Sequence, residues 1–395
     1  MTMDSAPTVP SLALEPTPEE ALLRKTVSEI VGRYGHACYM AASAQGEPMT
    51  DLWNELADAG FIGLNIPEEY GGGGAGLMEL AIVLEEMSAG GCPELALVLS
   101  PGIVGSILVK HGTPEQRQRY LPAIAAGREK FVFALTEPNA GSNSHNVATT
   151  ARRDGSDWVV QGSKYYISGV DHCDHFLLVA RTGRDEQSGR GQLSLFIVEP
   201  DAPGLTREPI PTALRAPERQ FTLFFDDVRI PATHVVGEIG HGLVPLFDGL
   251  NPERVLSAVI CTGVGRYALA KATRYVKERN VWGVPIGAHQ AVQHPLAAAT
   301  MEIEAARGMT WRAAALYDAA RPAGEAANMA KYLASKAGAH ALDTAIQVHG
   351  GNGLADEYGL ADLWGIVRLQ QIAPVSTEMV LNHIAQHTLG LPRSY

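Results

Sequence analysis

The chain has 395 residues and a formal net charge of −12, from 31 basic and 43 acidic residues. This acidic balance argues against a nucleic-acid-binding protein, and the length indicates two or three domains of roughly 150 residues each. Hydrophobic residues make up 46% of the sequence and charged residues 19%, which is typical of a globular protein with sizeable cores and excludes the disordered and fibrous classes.

Neither a targeting segment nor a membrane anchor is expected. Residues 1–16 contain two acidic residues and no Lys or Arg, unlike a secretory or mitochondrial leader. No uninterrupted apolar run approaches the roughly 18 residues needed to span a bilayer. The cysteines stand far apart without a CxxC pair, which predicts neither a disulfide framework nor a cysteine zinc site; they are Cys38, Cys92, Cys173 and Cys261. A cytoplasmic protein is the expectation.

The first 130 residues are predicted to be helical. Thr17, Pro18 and Glu20 supply an N-cap, a proline at the first helical position and a capping-box acid, ahead of apolar residues at helical spacing. The segment 94–111 is predicted to be a helix broken at Pro101-Gly102. Further helices are predicted at 51–59, 77–88 and 114–126.

From Phe131 the sequence is rich in β-branched and aromatic residues, which predicts a β-domain. Helical periodicity returns after Val244. The expected fold is therefore multidomain α+β, with a helical domain over 1–130, a β-domain over 131–240 and a helical domain over 241–395. Strands are predicted at 158–168, 175–182, 193–198 and 221–228, and the later helices at 255–278, 296–319, 325–349 and 379–389.

Two segments of the β-domain carry groups suited to a planar polar ligand. The segment 133–142, FALTEPNAGS, combines a hydroxyl with a Gly-Ser turn; by itself it also fits an ordinary turn leading into a strand. The segment 162–168, GSKYYIS, alternates as a strand and would place Tyr166 and Ser168 on one face. Core packing is the alternative for this second segment.

Two glycine-containing segments follow helices in the last third of the chain. Arg279 stands near the end of one predicted helix, with Trp282 beside a glycine. Gln347 precedes the sequence GGNG, whose glycines end a helix and expose backbone amides. Each segment also reads as a plain helix C-cap.

Six motifs, taken together and in order, resemble the FAD-dependent acyl-CoA dehydrogenase family. They are IPEEYGG at 66–72, HGTPEQ at 111–116, LTEPNAGS at 135–142, GSKYYIS at 162–168, FFDDVRIP at 224–231 and QVHGGNG at 347–353. The resemblance implies an N-terminal helical domain, a middle β-domain and a C-terminal four-helix bundle, assembled as a dimer of dimers with one FAD per subunit. It also implies an acyl-CoA substrate and an electron-transfer flavoprotein as electron acceptor.

The resemblance also assigns ligand-binding positions. Leu135 and Thr136 would contact the pyrimidine side of the flavin, and Tyr166 and Ser168 would pack near its N5. Ser142 would reach a ligand phosphate. Four further positions would hold the pyrophosphate and adenine of a neighbouring subunit's FAD, namely Arg279, Trp282, Gln347 and Gly351. The implied cofactor set also contains Phe133, Gly141, Ser376 and Glu378, and the implied substrate-binding residues are Ser142 and Arg254.

The family reaction needs a glutamate that removes the α-proton of the thioester while a β-hydride passes to the flavin. At the commonest family position for this base, late in the chain, the sequence has Pro374, which has no backbone N–H to hold the thioester oxygen. Isovaleryl- and long-chain-type members carry the base on an earlier helix, and the matching residue is Glu253, the catalytic candidate. The alternative is that Asn251 caps a helix whose first turn contains Pro252 and Glu253.

Other residues are weaker candidates. Glu378 ranks second as the base. The cluster 171–175, DHCDH, has metal-ligand residue types, but it leads into a predicted strand and the family has no metal there, so no metal site is expected. His289, His294 and His349 are interpreted as structural or cofactor-edge residues.

Three functions stay open at this point. The first is an acyl-CoA dehydrogenase that forms a trans-2-enoyl-CoA. The second is an oxygen-using or non-redox flavoenzyme on the same fold. The third is a non-catalytic subunit of a mixed assembly, which Pro374 keeps open. The acyl group, and whether it is carried by CoA or by a carrier protein, are not predicted.

Overall fold

The computed structural model describes residues 16–187 and 189–393, apart from the side chain of His145. Residues 1–15, which carry most of the prediction about a leader, lie outside the described part. The N-terminal region is helical as predicted, although α2 was not foreseen. Its helices are α1 (Pro18–Val31), α2 (Gly35–Gln45), α3 (Thr50–Asp58), α4 (Leu77–Ala89), α5 (Ser106–His111) and α6 (Pro114–Ala125).

The start of α1 follows directly from its first four residues. The Thr17 hydroxyl accepts a hydrogen bond from the Glu20 amide, and the Glu20 carboxylate accepts one from the Thr17 amide. This is the predicted capping box, which satisfies two of the amides that a helix start leaves unpaired. Thr113 and Gln116 repeat the arrangement at the start of α6.

The predicted break at Pro101-Gly102 is wrong. Residues Val98–Gly105 form a π-helix that runs without interruption into α5. A π-helix tolerates the missing amide of Pro101 because its hydrogen bonds already depart from the α-helical pattern. The segment lies between the β-domain and α7 (Leu243–Glu278), since Ser100 accepts a hydrogen bond from the Phe131 amide and a Cβ on Gly102 would meet the Leu256 side chain at 2.4 Å.

The middle region is one eight-stranded sheet with strand order β6-β7-β3-β2-β4-β5-β8, on which β1 pairs with β4 in parallel. All four predicted strands are present, and β1, β2, β6 and β8 are additional. Its core consists of alternate strand residues such as Trp158, Phe176 and Phe196. The strands are β1 (Phe131–Ala134), β2 (Thr150–Asp154), β3 (Asp157–Ser168), β4 (His175–Arg184), β5 (Gly191–Val198), β6 (Leu205–Ile210), β7 (Gln220–Pro231) and β8 (Val235–Val236).

The C-terminal region is a bundle of long helices, as the resemblance implies. A two-stranded ribbon of β9 (Asn280–Val281) and β10 (Val284–Pro285) follows α7. The unforeseen α10 is short. The later helices are α8 (Gln290–Asp318), α9 (Gly324–His349), α10 (Trp364–Ile372) and α11 (Thr377–His383). The domain boundaries 1–130, 131–240 and 241–395 stay a prediction.

Helices α7 and α9 run parallel and touch closely. A Cβ on Gly338 would lie 2.6 Å from the Cys261 carbonyl oxygen, and one on Gly265 would lie 3.5 Å from the Ala341 side chain. Contacts that advance together along both helices show parallel alignment. Among the described residues, α7 is the one helix long and apolar enough to cross a membrane, but 78% of its most apolar window is buried inside the protein, as in the core helix of a bundle.

The alternative interpretation of Asn251 and Pro252 as a helix start is wrong, because α7 begins at Leu243 and Pro252 lies inside it. Proline leaves the carbonyl four residues earlier without its helical donor. That carbonyl belongs to Asp248, and the Tyr317 hydroxyl of α8 donates to it at 3.3 Å. The α7 helix therefore continues through Pro252, because a side chain of α8 supplies the missing donor. Glu253 lies in the interior of α7.

Candidate functional site

The first site segment follows β1 and is held against β3 by a buried ion pair. Lys164 is 0% exposed, and its Nζ donates to the Leu135 carbonyl and to Glu137 Oε1, each at 2.8 Å. Glu137 also accepts from the amides of Ala148 and Thr149, at 2.6 and 3.0 Å. Burial lowers the pKa of Lys164 to about 8, whereas the nearby ammonium keeps the pKa of Glu137 below its ordinary value in spite of burial. The pair fixes the backbone of 135–137.

The same contact brings the two flavin-facing motifs of the resemblance together. The Tyr165 amide donates to the Thr136 carbonyl at 2.8 Å. Next to it, Tyr166 has a φ of 57° and the register with β7 shifts between Lys164 and Ile167. This bulge interrupts the expected strand alternation and leaves the Tyr166 ring 51% exposed. Ser168 lies beyond the bulge, where its hydroxyl donates to Gln220 Oε1 at 3.0 Å.

The other residues of the first motif differ in exposure. Phe133 lies in β1, opposite Leu177, and packs against the core. Gly141 and Ser142 lie in the exposed loop after β1, and no atom lies within 4 Å of a Cβ placed on Gly141. Their backbone is therefore open to a ligand.

A second group lies at the C-terminal ends of α7 and α9. Arg279 is exposed and ends α7, and Trp282 is 89% exposed in the ribbon that follows. Gln347 is exposed in the last turn of α9, and a Cβ on Gly351 would meet nothing within 4 Å. Arg279 follows Glu253 by 26 positions, or about 39 Å along a helix. The two groups of candidate residues are therefore far apart within one chain.

The third group surrounds Glu253. Its side chain is partly buried, and Oε2 is buried without a hydrogen-bond partner among the described residues. Burial raises the pKa of Glu253 to about 7, against the opposing effect of the Arg254 and Lys331 charges. Arg254 is itself buried and donates from Nη1 to Asn251 Oδ1 at 2.8 Å. A carboxyl group with this pKa gains and loses a proton near neutral pH.

Two residues of α9 complete this third group and were missed in the sequence. Lys331 is 1% exposed and its Nζ donates to the Val375 carbonyl. Asn328 is buried, and its Oδ1 has no hydrogen-bond partner among the described residues. The signal for Lys331 was available, because Ala327, Lys331 and Ala334 follow helical spacing on an apolar face, where an unpaired lysine is unexpected.

The segment after α10 closes over this group. Pro374 precedes Val375, whose carbonyl is bound by Lys331. Ser376 is the N-cap of α11 and accepts from the Met379 amide at 3.3 Å. Glu378 is exposed in the first turn, where backbone and Ser376 hydrogen bonds hold its pKa below the ordinary value. Ser376 and Glu378 thus have a capping arrangement of their own.

The 171–175 cluster has structural partners. The carboxylate of Asp171 pairs with Arg219, and that of Asp174 accepts the Lys130 amide at 2.8 Å. His175 lies 3.2 Å from Glu129. In the part of the chain that is described, no group of three or more His, Cys, Asp or Glu side chains is placed to hold a metal ion.

Three family descriptions match consecutive parts of the chain. They are the N-terminal domain of acyl-CoA dehydrogenase at residues 17–128, the middle domain at 132–228 and the C-terminal domain at 240–389. Together they span the helical, β and helical regions of the fold.

Individual proteins are similar over nearly the same extent. The acyl-CoA dehydrogenase FadE12 of Mycobacterium tuberculosis is 51% identical over 95% of this chain and 97% of its own length. The mitochondrial long-chain specific acyl-CoA dehydrogenase of Sus scrofa is 34% identical over 86% of this chain and 80% of its own. The solved structure of butyryl-CoA dehydrogenase from Megasphaera elsdenii matches with a TM-score of 0.89 and 26% identity, covering 95% of this chain and 99% of that one.

Proposed function

The chain belongs to the acyl-CoA dehydrogenase family, and we propose from that premise that it converts an acyl-CoA thioester to a trans-2-enoyl-CoA with Glu253 as the base. Flavin-dependent acyl-CoA dehydrogenation is the general activity that the membership carries, and FAD is the cofactor. The identity of the base and the fate of the α-proton are the new part of the proposal.

The residues present fit FAD. Tyr166 offers an exposed aromatic ring beside the carbonyls of Leu135 and Thr136, which suits a planar ring system with polar edges. Arg279 is exposed, and the backbone near Gly351 is open, which suits an anionic pyrophosphate. When bound, FAD supplies an acceptor for the substrate's β-hydride.

One observation carries the choice of Glu253: its Oε2 is buried with no hydrogen-bond partner in the described part of the chain, on a carboxyl group whose pKa burial raises to about 7. A general base works best when its pKa lies near the working pH, since it is then both ionised and basic. Glu378 lacks these properties, because it is exposed and its pKa is lowered by capping hydrogen bonds. In the proposed reaction, Glu253 takes the α-proton of the thioester on its carboxylate oxygen.

The similarity to a long-chain specific acyl-CoA dehydrogenase supports the same choice. The resemblance places the base of such members on the earlier helix, where this chain has Glu253. Pro374, at the commoner position, has no carboxylate and no amide hydrogen.

Glu253→Gln tests the proposal. We expect it to lower turnover of a responsive acyl-CoA at least 100-fold, the lower range for loss of a general base, while the protein stays yellow with FAD bound. The assay screens a panel of acyl-CoAs with a dye acceptor. Glu378→Gln is the matched control and should keep turnover within a few-fold of the unaltered protein.

Near-normal turnover by Glu253→Gln together with loss of turnover by Glu378→Gln would reject Glu253 and move the base to Glu378. Retained turnover in both variants would point to a different reaction. Production of hydrogen peroxide without an added acceptor would favour the oxidase alternative.

We further propose a homotetramer, or at least a homodimer, that passes electrons to an electron-transfer flavoprotein in the cytoplasm. The separation of about 39 Å between Glu253 and Arg279 supports an oligomer, because one FAD does not reach both groups within one subunit. Stable association with a second dehydrogenase-like chain, and inactivity alone, would favour the non-catalytic alternative.

A further inference from the structure

Lys331 is a buried cation with an unusual position. It lies in the first third of α9, 1% exposed, among alanines that pack against α7. Burying an ammonium group costs several kcal/mol unless hydrogen bonds and opposite charges compensate for the lost hydration. Its one side-chain hydrogen bond among the described residues goes to the neutral Val375 carbonyl. Burial lowers the pKa of Lys331 to about 8, so the amine is still mostly protonated at pH 7 and a nearby negative charge stabilises it.

The parallel alignment of α7 and α9 identifies where that charge is. A Cβ on Gly338 would lie 2.6 Å from the Cys261 carbonyl oxygen, and one on Gly324 would lie 3.6 Å from Asn251 Oδ1. Counted back from the first contact, Lys331 is level with Arg254; counted forward from the second, it is level with Ala258. Lys331 therefore lies beside the turn 254–258 of α7. Glu253 is the neighbour of Arg254 and is the acid of α7 nearest this level.

The main charged and titratable groups of the described residues that act on Lys331 lie on α7 and α11. They are Cys261, Arg254 and Glu253 on α7 and Glu378 on α11. Burial raises the pKa of Cys261 to about 12, so that thiol is neutral. Glu378 is exposed to water, which weakens its field, and Arg254 repels Lys331. On α11, burial lowers the pKa of His383, with Arg254 adding to the effect, which keeps His383 neutral near pH 7.

We propose that Lys331 is a positioning residue for Glu253: its buried ammonium favours the ionised carboxylate and ties the 373–376 segment beside it through the Val375 carbonyl. The inference rests on the proposed function, because Glu253 is taken as the base. By the resemblance, a substrate thioester would meet Pro374 in this segment, a residue that offers no amide hydrogen. The Val375 carbonyl, which Lys331 binds, belongs to the next residue.

Further hydrogen bonds attach the segment that contains Val375 to α9. Gln371 donates to the Ser335 carbonyl at 3.2 Å, and Thr377 donates to the Gln371 carbonyl at 3.2 Å. Lys336 Nζ also donates to Gln371 Oε1 at 3.4 Å, so the 371–377 segment is attached to α9 at Lys331, Ser335 and Lys336. The attachment at Lys331 is the one that also faces Glu253.

The test measures the protonation of Glu253 directly, in the FAD-loaded protein, by infrared difference spectroscopy as a function of pH. The band of the protonated carboxyl group is assigned by its loss in Glu253→Gln. Lys331→Met should raise the midpoint of this band by about one pH unit, the smaller effect expected on removing an opposite charge close by. The acid limb of kcat/KM should move by the same amount.

Two variants separate the effect of the Lys331 charge from the effect of its hydrogen bond to the Val375 carbonyl. Lys331→Gln keeps a donor for the Val375 carbonyl but removes the charge, so it should shift the midpoint like Lys331→Met with less loss of thermal stability. Lys331→Arg keeps the charge and should leave the midpoint within a few tenths of a pH unit. Lys25→Met, which removes an exposed lysine of α1 whose weak pair with Glu29 is 3.9 Å long, should leave the midpoint unchanged and the thermal stability nearly so.

An unmoved midpoint in both Lys331→Met and Lys331→Gln overturns the inference, as does an equal shift in Lys25→Met. A uniform fall of kcat/KM at every pH with an unmoved midpoint would assign Lys331 a structural role only. The proposed function fails by a different result, which is retained turnover in Glu253→Gln, and the infrared readout does not depend on turnover.

Discussion

Glu137 and Glu253 are two partly or fully buried carboxylates whose surroundings act in opposite directions. Glu137 accepts hydrogen bonds from Lys164 and from two backbone amides, and its pKa is lowered. Glu253 has one carboxylate oxygen with no hydrogen-bond partner among residues 16–187 and 189–393, and burial raises its pKa to about 7. Hydrogen bonds to the charged form favour ionisation, whereas burial without them favours the neutral form. Glu137 therefore serves as a fixed anion, and Glu253 is suited to proton transfer.

The first residue-scale prediction concerns pH. Glu253 acts as a base only when ionised, so kcat/KM should fall about tenfold per pH unit below its pKa, with the acid limb centred near pH 7. The measurement is kcat/KM between pH 5 and pH 9 at constant ionic strength. The sign follows from burial, which raises the pKa and moves the limb upwards from the ordinary glutamate value of about 4.3.

The position of this limb also distinguishes the two candidate bases. The pKa of Glu378 is lowered, so a limb set by Glu378 lies below about pH 4.3. A flat kcat/KM down to pH 5 would exclude Glu253. Glu378→Gln serves as the control and should leave the limb where it is.

At the scale of secondary structure, a network of charges joins the N-terminal helices to the bundle. Glu85 of α4 is 0% exposed and binds Arg24 of α1 and Arg307 of α8, while Glu86 binds Arg24 and Arg266 of α7. Burial alone would raise the pKa of Glu85, but three guanidinium groups keep it below the ordinary value. Four helices thus meet at two neighbouring carboxylates.

Glu85→Gln should lower the free energy of unfolding by about 3 kcal/mol at pH 7, because it leaves several arginines without their buried partner. Urea unfolding of the FAD-loaded protein measures the change. A lowered pKa means that the stabilisation is complete above the unfolded glutamate's pKa of about 4.3 and is lost as the pH falls through the folded value. The difference between the two proteins should therefore shrink in acid.

Glu29→Gln is the matched control for Glu85→Gln. Glu29 is exposed, and its Oε1 lies 3.9 Å from Lys25 on the same helix. Exposed pairs of this kind contribute little, so its unfolding free energy should stay within about 0.5 kcal/mol. Equal losses in both variants would show that burial of Glu85 does not matter.

At the scale of the whole molecule, the residues that we propose bind FAD lie in separate places. Tyr166 lies on the β-domain, whereas Arg279 and Trp282 lie beyond the far end of α7, exposed to solvent. An arginine that holds a neighbour's pyrophosphate must be exposed in the isolated subunit. The large exposed area of Trp282 fits the same purpose.

Mixing two defective variants tests this arrangement. Arg279→Ala should weaken FAD retention at least tenfold, since a charged fork is lost from a phosphate, and Glu253→Gln should bind FAD but not turn over. In a mixed pair, one site combines an intact Glu253 with the partner's intact Arg279. We therefore expect mixed oligomers, formed by subunit exchange at limiting FAD, to regain activity that neither variant shows alone.

The controls for this experiment are Arg279→Ala alone and Glu253→Gln alone, each taken through the same subunit-exchange procedure. A mixture of Arg279→Ala with a variant that carries both Arg279→Ala and Glu253→Gln should regain no activity, because neither subunit has an intact Arg279. Failure of the first mixture to regain activity, with exchange verified, would place Arg279 and Glu253 in the same subunit's site. Trp364→Ala removes another exposed tryptophan and should leave FAD retention unchanged.

Local patterns in the sequence determined much of the fold. The capping boxes at Thr17 and Thr113, the four long strands and the long helices follow from short-range signals, since each depends on residues within one or two turns. The short strands β1, β2 and β6 were missed because brief segments carry too little periodicity to be recognised. The helix α2 was missed for another reason: Tyr39 is its one buried residue, so it lacks an apolar stripe at helical spacing. The helix α10 was missed although it is as long as the predicted α3. Pro101 and Pro252 were misjudged because their helices continue with hydrogen bonds of another type or from another helix.

The chemistry of the candidate site divides in the same way. The motifs and their order were enough to indicate a family, FAD and Glu253 as a candidate. The sequence did not determine the environment that suits Glu253 to act as a base. The pKa of Glu253 depends on burial and on the charges of Arg254 and Lys331, and Lys331 is 78 positions away along the chain. Only the tertiary structure decided which groups share that low-dielectric space, and in such a space their separation governs the energy of a charge.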